Sequence, residues 1–180
     1  IRGVIRFFIN AILLLSLVLS WLVLPFIYLV SRSACARLKL RQMSLWAQAT
    51  LFVLGVQVIS TGPKPKPPFL LASNHLSYLD ILVLWSQVDS FFLGKAELAR
   101  WPVMGPLIKT AGTLFIDRTK KSGVVSAIEK ISQKMELGFG VIFFPEGTSS
   151  SGGTIRRFRP NIFEAAVLGG FPVHVVTLRY

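Results

Sequence analysis

Phe69-Leu70-Leu71-Ala72-Ser73-Asn74-His75-Leu76-Ser77-Tyr78-Leu79-Asp80-Ile81-Leu82-Val83-Leu84-Trp85 decides the fold, because a short apolar run, a polar loop and a second apolar run follow one another without interruption. Phe69 to Ser73 reads as a buried strand and Ile81 to Trp85 as apolar helix, so the segment is strand, loop, helix. His75 and Asp80 lie five residues apart. That is awkward inside one regular helix, where facing residues are three or four apart. The pairing works when His75 sits on the loop and Asp80 in the first helical turn, where the dipole favours a carboxylate. A neutral imidazole takes a proton from a hydroxyl near physiological pH, and a carboxylate on its other nitrogen fixes the tautomer and stabilises the imidazolium. His75 is therefore a candidate general base and Asp80 its orienting acid. A capping Asp beside a hydrogen-bonded loop His has the same spacing, so the pair alone does not separate the two readings.

Downstream, short apolar runs alternate with helical segments. Ser90 to Leu93, Gly112 to Ile116, Val141 to Phe144 and Val173 to Leu178 read as further strands. Ser122 to Leu137 is the clearest helix, with Val125, Ile128, Ile131 and Met135 expected on its apolar face. This alternation predicts an α/β domain over residues 69–180, with a mixed, largely parallel sheet flanked by helices. Thr61-Gly62-Pro63-Lys64-Pro65-Lys66-Pro67-Pro68 precedes it as a stiff linker, 61–68.

Residues 1–60 read as membrane-anchoring helices. No charge interrupts the chain between Arg6 and Arg32, and Phe7 to Val30 is long enough to cross a bilayer core as one helix, with Pro25 expected to kink or end it. The apolar stretch exceeds the core of a cleaved signal peptide. Arg32, Arg37, Lys39 and Arg41 outnumber Arg2 and Arg6, which places the C-terminal side in the cytoplasm. Leu40 to Ser60 reads as a second, amphipathic helix that lies on the membrane or packs on the first, leaving open a single span or a shallow hairpin. The chain starts at Ile1 without Met and stops inside an apolar run, so we expect it to be part of a longer protein.

Lys and Arg number 20 against 8 Asp and Glu, a net charge of +12, while apolar residues make up 52% of the 180. A chain both basic and apolar suits an anionic membrane surface. Its charges are interleaved with apolar segments rather than gathered on an arm or recognition motif, which argues against nucleic acid as a partner. The single cysteine, Cys35, excludes an intramolecular disulfide and a Cys-based metal cluster, and reads as a small buried apolar residue. With only two histidines, no metal site is expected.

Four later segments offer anion-binding chemistry. Gly112 to Arg118 ends a strand on a guanidinium suited to phosphate or carboxylate. Phe143 to Ser150 ends another on a turn, Glu146-Gly147-Thr148, that can expose backbone N–H groups and hydroxyls. Lys95 and Glu97 begin a segment expected near the same site, and Arg156, Arg157 and Arg159 bracket Phe158 in a basic loop behind a Gly/Ser run. Each has an ordinary alternative: a surface Asp117–Arg118 ion pair, a simple turn, solvated charges. His174 has no nearby carboxylate and reads as a satisfied strand histidine.

The ordered set Asn74 to Asp80, Gly112 to Arg118, Phe144-Pro145-Glu146-Gly147-Thr148 and Val173 to Val176 resembles the glycerolipid acyltransferase family, the 1-acyl-glycerol-3-phosphate acyltransferases, and Lys95 to Gly105 is similar to its bacterial members. The resemblance covers Phe69 to Tyr180. It implies acyl transfer from acyl-CoA or acyl-carrier protein to the free hydroxyl of lysophosphatidic acid, with no cofactor beyond that donor and no acyl-enzyme. By similarity, His75 and Asp80 are catalytic, and Asn74, Lys95, Arg118, Glu146, Gly147, Thr148 and Arg159 bind substrate. Ser77, without a second base, remains a loop residue. A bacterial inner-membrane enzyme working on the cytoplasmic face is the implied setting. Two positions depart from the family pattern: Ser149 stands where many members carry Arg, and Asn161 where a Gly is common. They keep open an acceptor such as lyso-ornithine lipid or another lysophospholipid. A catalytically silent membrane-binding module and an acyl-ester hydrolase are the alternatives of a different class; the chain lacks a nucleophilic serine elbow for the second.

Overall fold

The computed structural model describes residues 2–102, 104–150 and 156–180. Val103, inside the Lys95 to Gly105 segment, and the Gly/Ser run at 151–155 lie outside them. The chain forms two compact units, Ile1–Lys64 with Tyr78–Asp89, and Pro65–Ser77 with Ser90–Tyr180. The segment Tyr78–Asp89 thus groups with the N-terminal helices, although it lies within the 69–180 stretch.

The N-terminal unit is helical. Helix α1 (Arg2–Ser20) tightens into a single 3₁₀ turn at Trp21–Val23 and continues as α2 (Leu24–Val30), with Pro25 in its first turn. Proline is tolerated there because the first N–H groups of a helix lack intrahelical partners. Together Arg2–Val30 is long and apolar enough to cross a membrane by length and composition. Helix α3 (Arg32–Leu54) starts earlier than the apolar pattern indicated, because Ser31 caps it by accepting the Ala34 N–H at 3.2 Å. It stops at Gly55, whose φ of +77° is the left-handed geometry that ends helices. The Arg6 guanidinium sits beside Gly55, and the Cys35 thiol reaches the Leu24 carbonyl at 3.5 Å, so α3 runs antiparallel to α1 and α2 and packs on them. Cys35 is buried there, as expected of a small apolar residue. Helix α4 (Leu79–Gln87) joins this unit through Gln48 Nε2, which donates to the Ser86 carbonyl at 3.1 Å.

The second unit carries a five-stranded sheet of β1 (Phe69–Ser73), β2 (Ser90–Lys95), β3 (Leu114–Ile116), β4 (Gly140–Phe143) and β5 (Val173–Val176), in the order β3-β2-β4-β1-β5. All four neighbouring pairs are parallel, the largely parallel expectation taken to its limit. Central strands of parallel sheets are covered on both faces and therefore read as unbroken apolar runs. Phe69, Leu70, Leu71 and Ala72 of β1 and Val141, Ile142 and Phe143 of β4 are accordingly all buried. Each large side chain there contributes about 1.5–3 kcal/mol by burial. Helix α5 (Met104–Thr110) links β2 to β3, α6 (Lys121–Glu136) links β3 to β4, and α7 (Glu164–Gly169) precedes β5. On α6 the buried stripe is Ala127, Ile128, Ile131 and Met135, while Val125 is exposed. At 100° per residue Val125 falls roughly 100° from the centre of that stripe, so helical geometry excludes it.

Strand ends differ from the apolar runs for local reasons. β4 stops at Phe143 because Pro145 follows closely and cannot donate to a ladder. β5 stops at Val176 although apolar residues continue, because the Leu178 backbone pairs with a side chain instead: Asn74 Nδ2 donates to its carbonyl at 3.0 Å and its N–H donates to Asn74 Oδ1 at 2.7 Å.

The strand order positions a site. From β1 the chain passes β4 to reach β2, and from β4 it passes β1 to reach β5, so the connections diverge between adjacent strands β1 and β4. Such divergence opens a crevice at the strands' carboxyl ends. His75 follows β1 and Glu146 follows β4, at that point.

Candidate active site

The loop after β1 carries His75. Its backbone N–H donates to Glu146 Oε1 at 3.1 Å, and its carbonyl accepts from the Ser150 N–H at 2.8 Å. The imidazole stacks on Phe144, with ring centroids 4.0 Å apart and planes 15° from parallel. Main chain and ring plane are thus both set by the β4 turn, and the ring is half-buried. Asp80 falls in the first turn of α4, as the sequence requires, and its side chain is 0% exposed. Tyr78 occupies the helix N-cap, so Asp80 is not a capping residue.

The β4 turn is built around Glu146 and Gly147. Glu146 is 5% exposed, and its second oxygen, Oε2, accepts the Arg156 N–H at 2.9 Å. Gly147 has φ +76°, and its carbonyl accepts from Arg118 Nη1 at 2.9 Å. A Cβ at this position would collide with that Nη1 and come within 3.4 Å of Arg159 Nε. Glycine is required both by the left-handed backbone and by the approach of two guanidiniums. Gly147→Ala is expected to cost about 1–2 kcal/mol in backbone strain alone and to displace Arg118; chemical denaturation together with acceptor KM checks both effects.

Lys95 at the end of β2, Arg118 after β3, Glu146, Gly147 and Thr148 after β4, and Arg159 from the basic loop line one cavity of ≈ 240 Å³. Six of the seven expected substrate-binding residues are brought together. The seventh, Asn74, has both ends of its amide engaged by Leu178 and holds the chain beyond β5 to the site loop. Glu97, Thr119 and Ile116 complete the lining. Thr119 carries no motif of its own in the sequence; its signal is adjacency, since it follows Arg118 in the same tight turn. Asn161 lines an adjoining, mostly apolar cavity of ≈ 90 Å³ with Phe143, Phe144 and Ile162, while Ser149 is exposed. A larger cavity of ≈ 430 Å³ in the helical unit, lined by Gln48, Leu51 and Phe52 among others, has no titratable side chain in its described lining and so offers neither base nor cation.

Three cations around a concave surface bias the cavity toward anions. Burial lowers the Arg118 pKa from its ordinary value, the neighbouring Arg159 charge lowers it further, and Glu97 opposes them. Even so, the Arg118 guanidinium stays charged at neutral pH. With Lys95, Arg118 and Arg159 set against Glu97 and Glu146, the cavity is net positive, a balance that an incoming anion relieves.

Asp117 does not form the ion pair with Arg118 that adjacency allowed. Its Oδ1 accepts from the Thr119 hydroxyl and from the Thr119 N–H, closing the turn that aims Arg118 at Gly147. The Thr119 side-chain and backbone bonds hold the Asp117 carboxyl below its usual value, with Lys120 and Arg100 adding to the effect. A folded-state pKa below the unfolded one means that this contact stabilises the fold above the unfolded value and is lost as pH falls through the folded one. Asp117→Asn should therefore be less stable than the parent at about pH 7, with the difference shrinking as pH falls below the unfolded value, as thermal unfolding across that range would reveal.

His174 lies on β5, half-buried, with its ring edge-on to Phe69 at a centroid distance of 6.0 Å, a packed strand histidine.

A model of the acyltransferase family matches residues 53–180. The 1-acyl-sn-glycerol-3-phosphate acyltransferase of Neisseria gonorrhoeae is 32% identical over 148 residues, 81% of this chain and 58% of the relative. The lyso-ornithine lipid O-acyltransferase of Pseudomonas aeruginosa is 32% identical over 144 residues, 79% of this chain and 55% of the relative. The chain spans about half the length of the curated relatives it matches. Among solved structures, the 1-acyl-sn-glycerophosphate acyltransferase of Thermotoga maritima has the same fold, with a TM-score of 0.62 over 96% of this chain and 73% of that one, at 24% identity.

Proposed function

Because this chain belongs to the acyltransferase family, we propose that it transfers a fatty acyl group from acyl-CoA or acyl-carrier protein to the free hydroxyl of lysophosphatidic acid, forming phosphatidic acid. The observation that carries the reading is the convergence of Lys95, Arg118 and Arg159 on a cavity whose wall residue, Glu146, also holds the backbone of His75. A phosphate monoester head carries nearly two negative charges, and among the described lining residues three cations, Lys95, Arg118 and Arg159, stand against two carboxylates, Glu97 and Glu146, which leaves the cavity net positive. That balance favours phosphate over a zwitterionic head.

The proposed chemistry balances without a covalent enzyme intermediate. His75 takes the acceptor hydroxyl proton as the oxygen attacks the thioester carbonyl. The tetrahedral adduct collapses, the C–S bond breaks, and the leaving thiolate recovers the proton from the imidazolium. Asp80 keeps the imidazole in the correct tautomer. No cofactor beyond the acyl donor enters.

Membrane association is supported by the outward apolar side chains of α1 and α2, among them Phe7, Phe8, Ile12, Leu15, Leu22, Phe26 and Leu29. Arg32, Arg37, Lys39 and Arg41 follow directly after the hairpin turn. Tip-first insertion of the hairpin would carry four cations into hydrocarbon at about 2.5–3.5 kcal/mol each. We therefore propose that the hairpin lies in the interfacial plane of one leaflet with the basic residues among lipid headgroups, and that the site works on the cytoplasmic face of a bacterial inner membrane.

A second acceptor, lyso-ornithine lipid, is favoured by Ser149 and by the relatives named for that activity. An acceptor panel with the membrane-reconstituted protein tests the proposal, each acylated product being followed by mass. Phosphatidic acid is expected as the main product. Preferential acylation of lyso-ornithine lipid would reassign the acceptor, and acyl-CoA hydrolysis without transfer to any lyso-lipid would overturn acyl transfer altogether.

A further inference from the structure

We infer that Glu146 is a positioning residue rather than a headgroup ligand: its two carboxylate oxygens set the loop bearing His75 and the loop bearing Arg159 at a fixed separation. The kinetic part of this inference rests on the proposed role of His75.

Each oxygen of Glu146 has its own backbone donor, Oε1 from His75 at 3.1 Å and Oε2 from Arg156 at 2.9 Å. Bonds from N–H groups to a buried carboxylate are charge-assisted and stronger than neutral ones. Two further contacts close the same junction: the Arg159 N–H donates to the Pro145 carbonyl at 3.0 Å, and the Ser150 N–H to the His75 carbonyl at 2.8 Å. Segments following β1 and β4 and the basic loop are therefore laced together at one side chain. A carboxylate on the wall of a cavity for anions gains nothing from an anionic head, which it repels. Its two oxygens are instead engaged by the N–H groups of His75 and Arg156.

The separation matters because one acceptor molecule must reach both places, with its head among the guanidiniums and its hydroxyl at the imidazole. Displacement of a reacting group by about 1 Å is enough to cost on the order of 100-fold in rate. A residue that sets the distance from base to anion pocket governs turnover more than binding.

Glu146→Gln tests this. The amide keeps one acceptor oxygen but turns an NH₂ toward the second N–H, so one of the two loops is released. The expected result is a kcat lower by about 10- to 100-fold, with acceptor KM changed by less than about threefold. Histidine-selective ¹⁵N labelling gives a readout independent of activity, since the chain contains two histidines. The His75 ring signals should move in Glu146→Gln while those of His174 stay in place. Arg156→Pro removes the N–H to Oε2 and should reproduce both effects; Arg156→Ala keeps that N–H and should reproduce neither. If one of the two disruptive variants does not fold, the other decides. A change in acceptor KM with kcat intact, or unmoved His75 signals in the disruptive variants, overturns the inference. Should the unaltered protein transfer acyl groups to no lyso-lipid, the proposed reaction fails, while the ring signals still decide the positioning role.

Discussion

Replacing His75 with alanine is expected to lower lyso-lipid-dependent release of CoA thiol by about 10²- to 10⁴-fold, the range typical for loss of a general base. The acceptor hydroxyl is a poor nucleophile while it keeps its proton, and the imidazole is the proposed means of removing it. Membrane association should be unchanged, because it resides in the apolar surface of α1 and α2, to which His75 contributes nothing. Stability should fall only modestly: the ring loses its stack on Phe144, but the backbone bonds to Glu146 and Ser150 do not depend on the side chain. CoA release by a vesicle-bound variant, normalised to bound protein, checks both parts. Turnover at the unaltered rate would sink the mechanism.

Arg118→Ala is expected to raise KM for lysophosphatidic acid by about 10- to 100-fold, corresponding to about 1.5–3 kcal/mol for a hydrogen bond to a charged group. The guanidinium does two things that alanine cannot: it donates to the Gly147 carbonyl and presents charge to the cavity. Arg118→Lys keeps the charge without the planar fork and should fall between the two. A neutral acceptor such as a monoacylglycerol separates headgroup binding from general damage. If Arg118→Ala impairs both acceptors equally, the residue supports the turn and does not bind the phosphate.

Much of the fold was legible because β1 and β4 are buried on both faces, so their sequences are continuous apolar runs bounded by polar turns. The ends were less legible. Asn74 closes β5 through Leu178, and a hydrogen bond between residues 104 positions apart leaves no local signature. The start of α3 is equally hidden, since Ser31 caps a helix that begins at Arg32 while the apolar pattern starts only at Leu40. In the site, Arg118, Glu146 and Gly147 were recognisable as a guanidinium and a turn following strands. Their division of labour was not, because a carboxylate that accepts two backbone N–H groups looks in sequence like one that faces a ligand.

By itself, the sequence determined an α/β class with a largely parallel sheet, the apolar N-terminal helix, the candidate base with its acid, and an anion-seeking set of cations. These follow from side-chain periodicity, charge and chemistry, which are properties of residues and their near neighbours. Only the tertiary structure decided that six residues scattered from Lys95 to Arg159 share one cavity, that Asn74 turns away to the Leu178 backbone, and that Glu146 joins two loops. Strand order decides those matters: β1 and β4 lie side by side although α4, α5 and α6 separate them in the chain, and their carboxyl ends meet where the connections diverge.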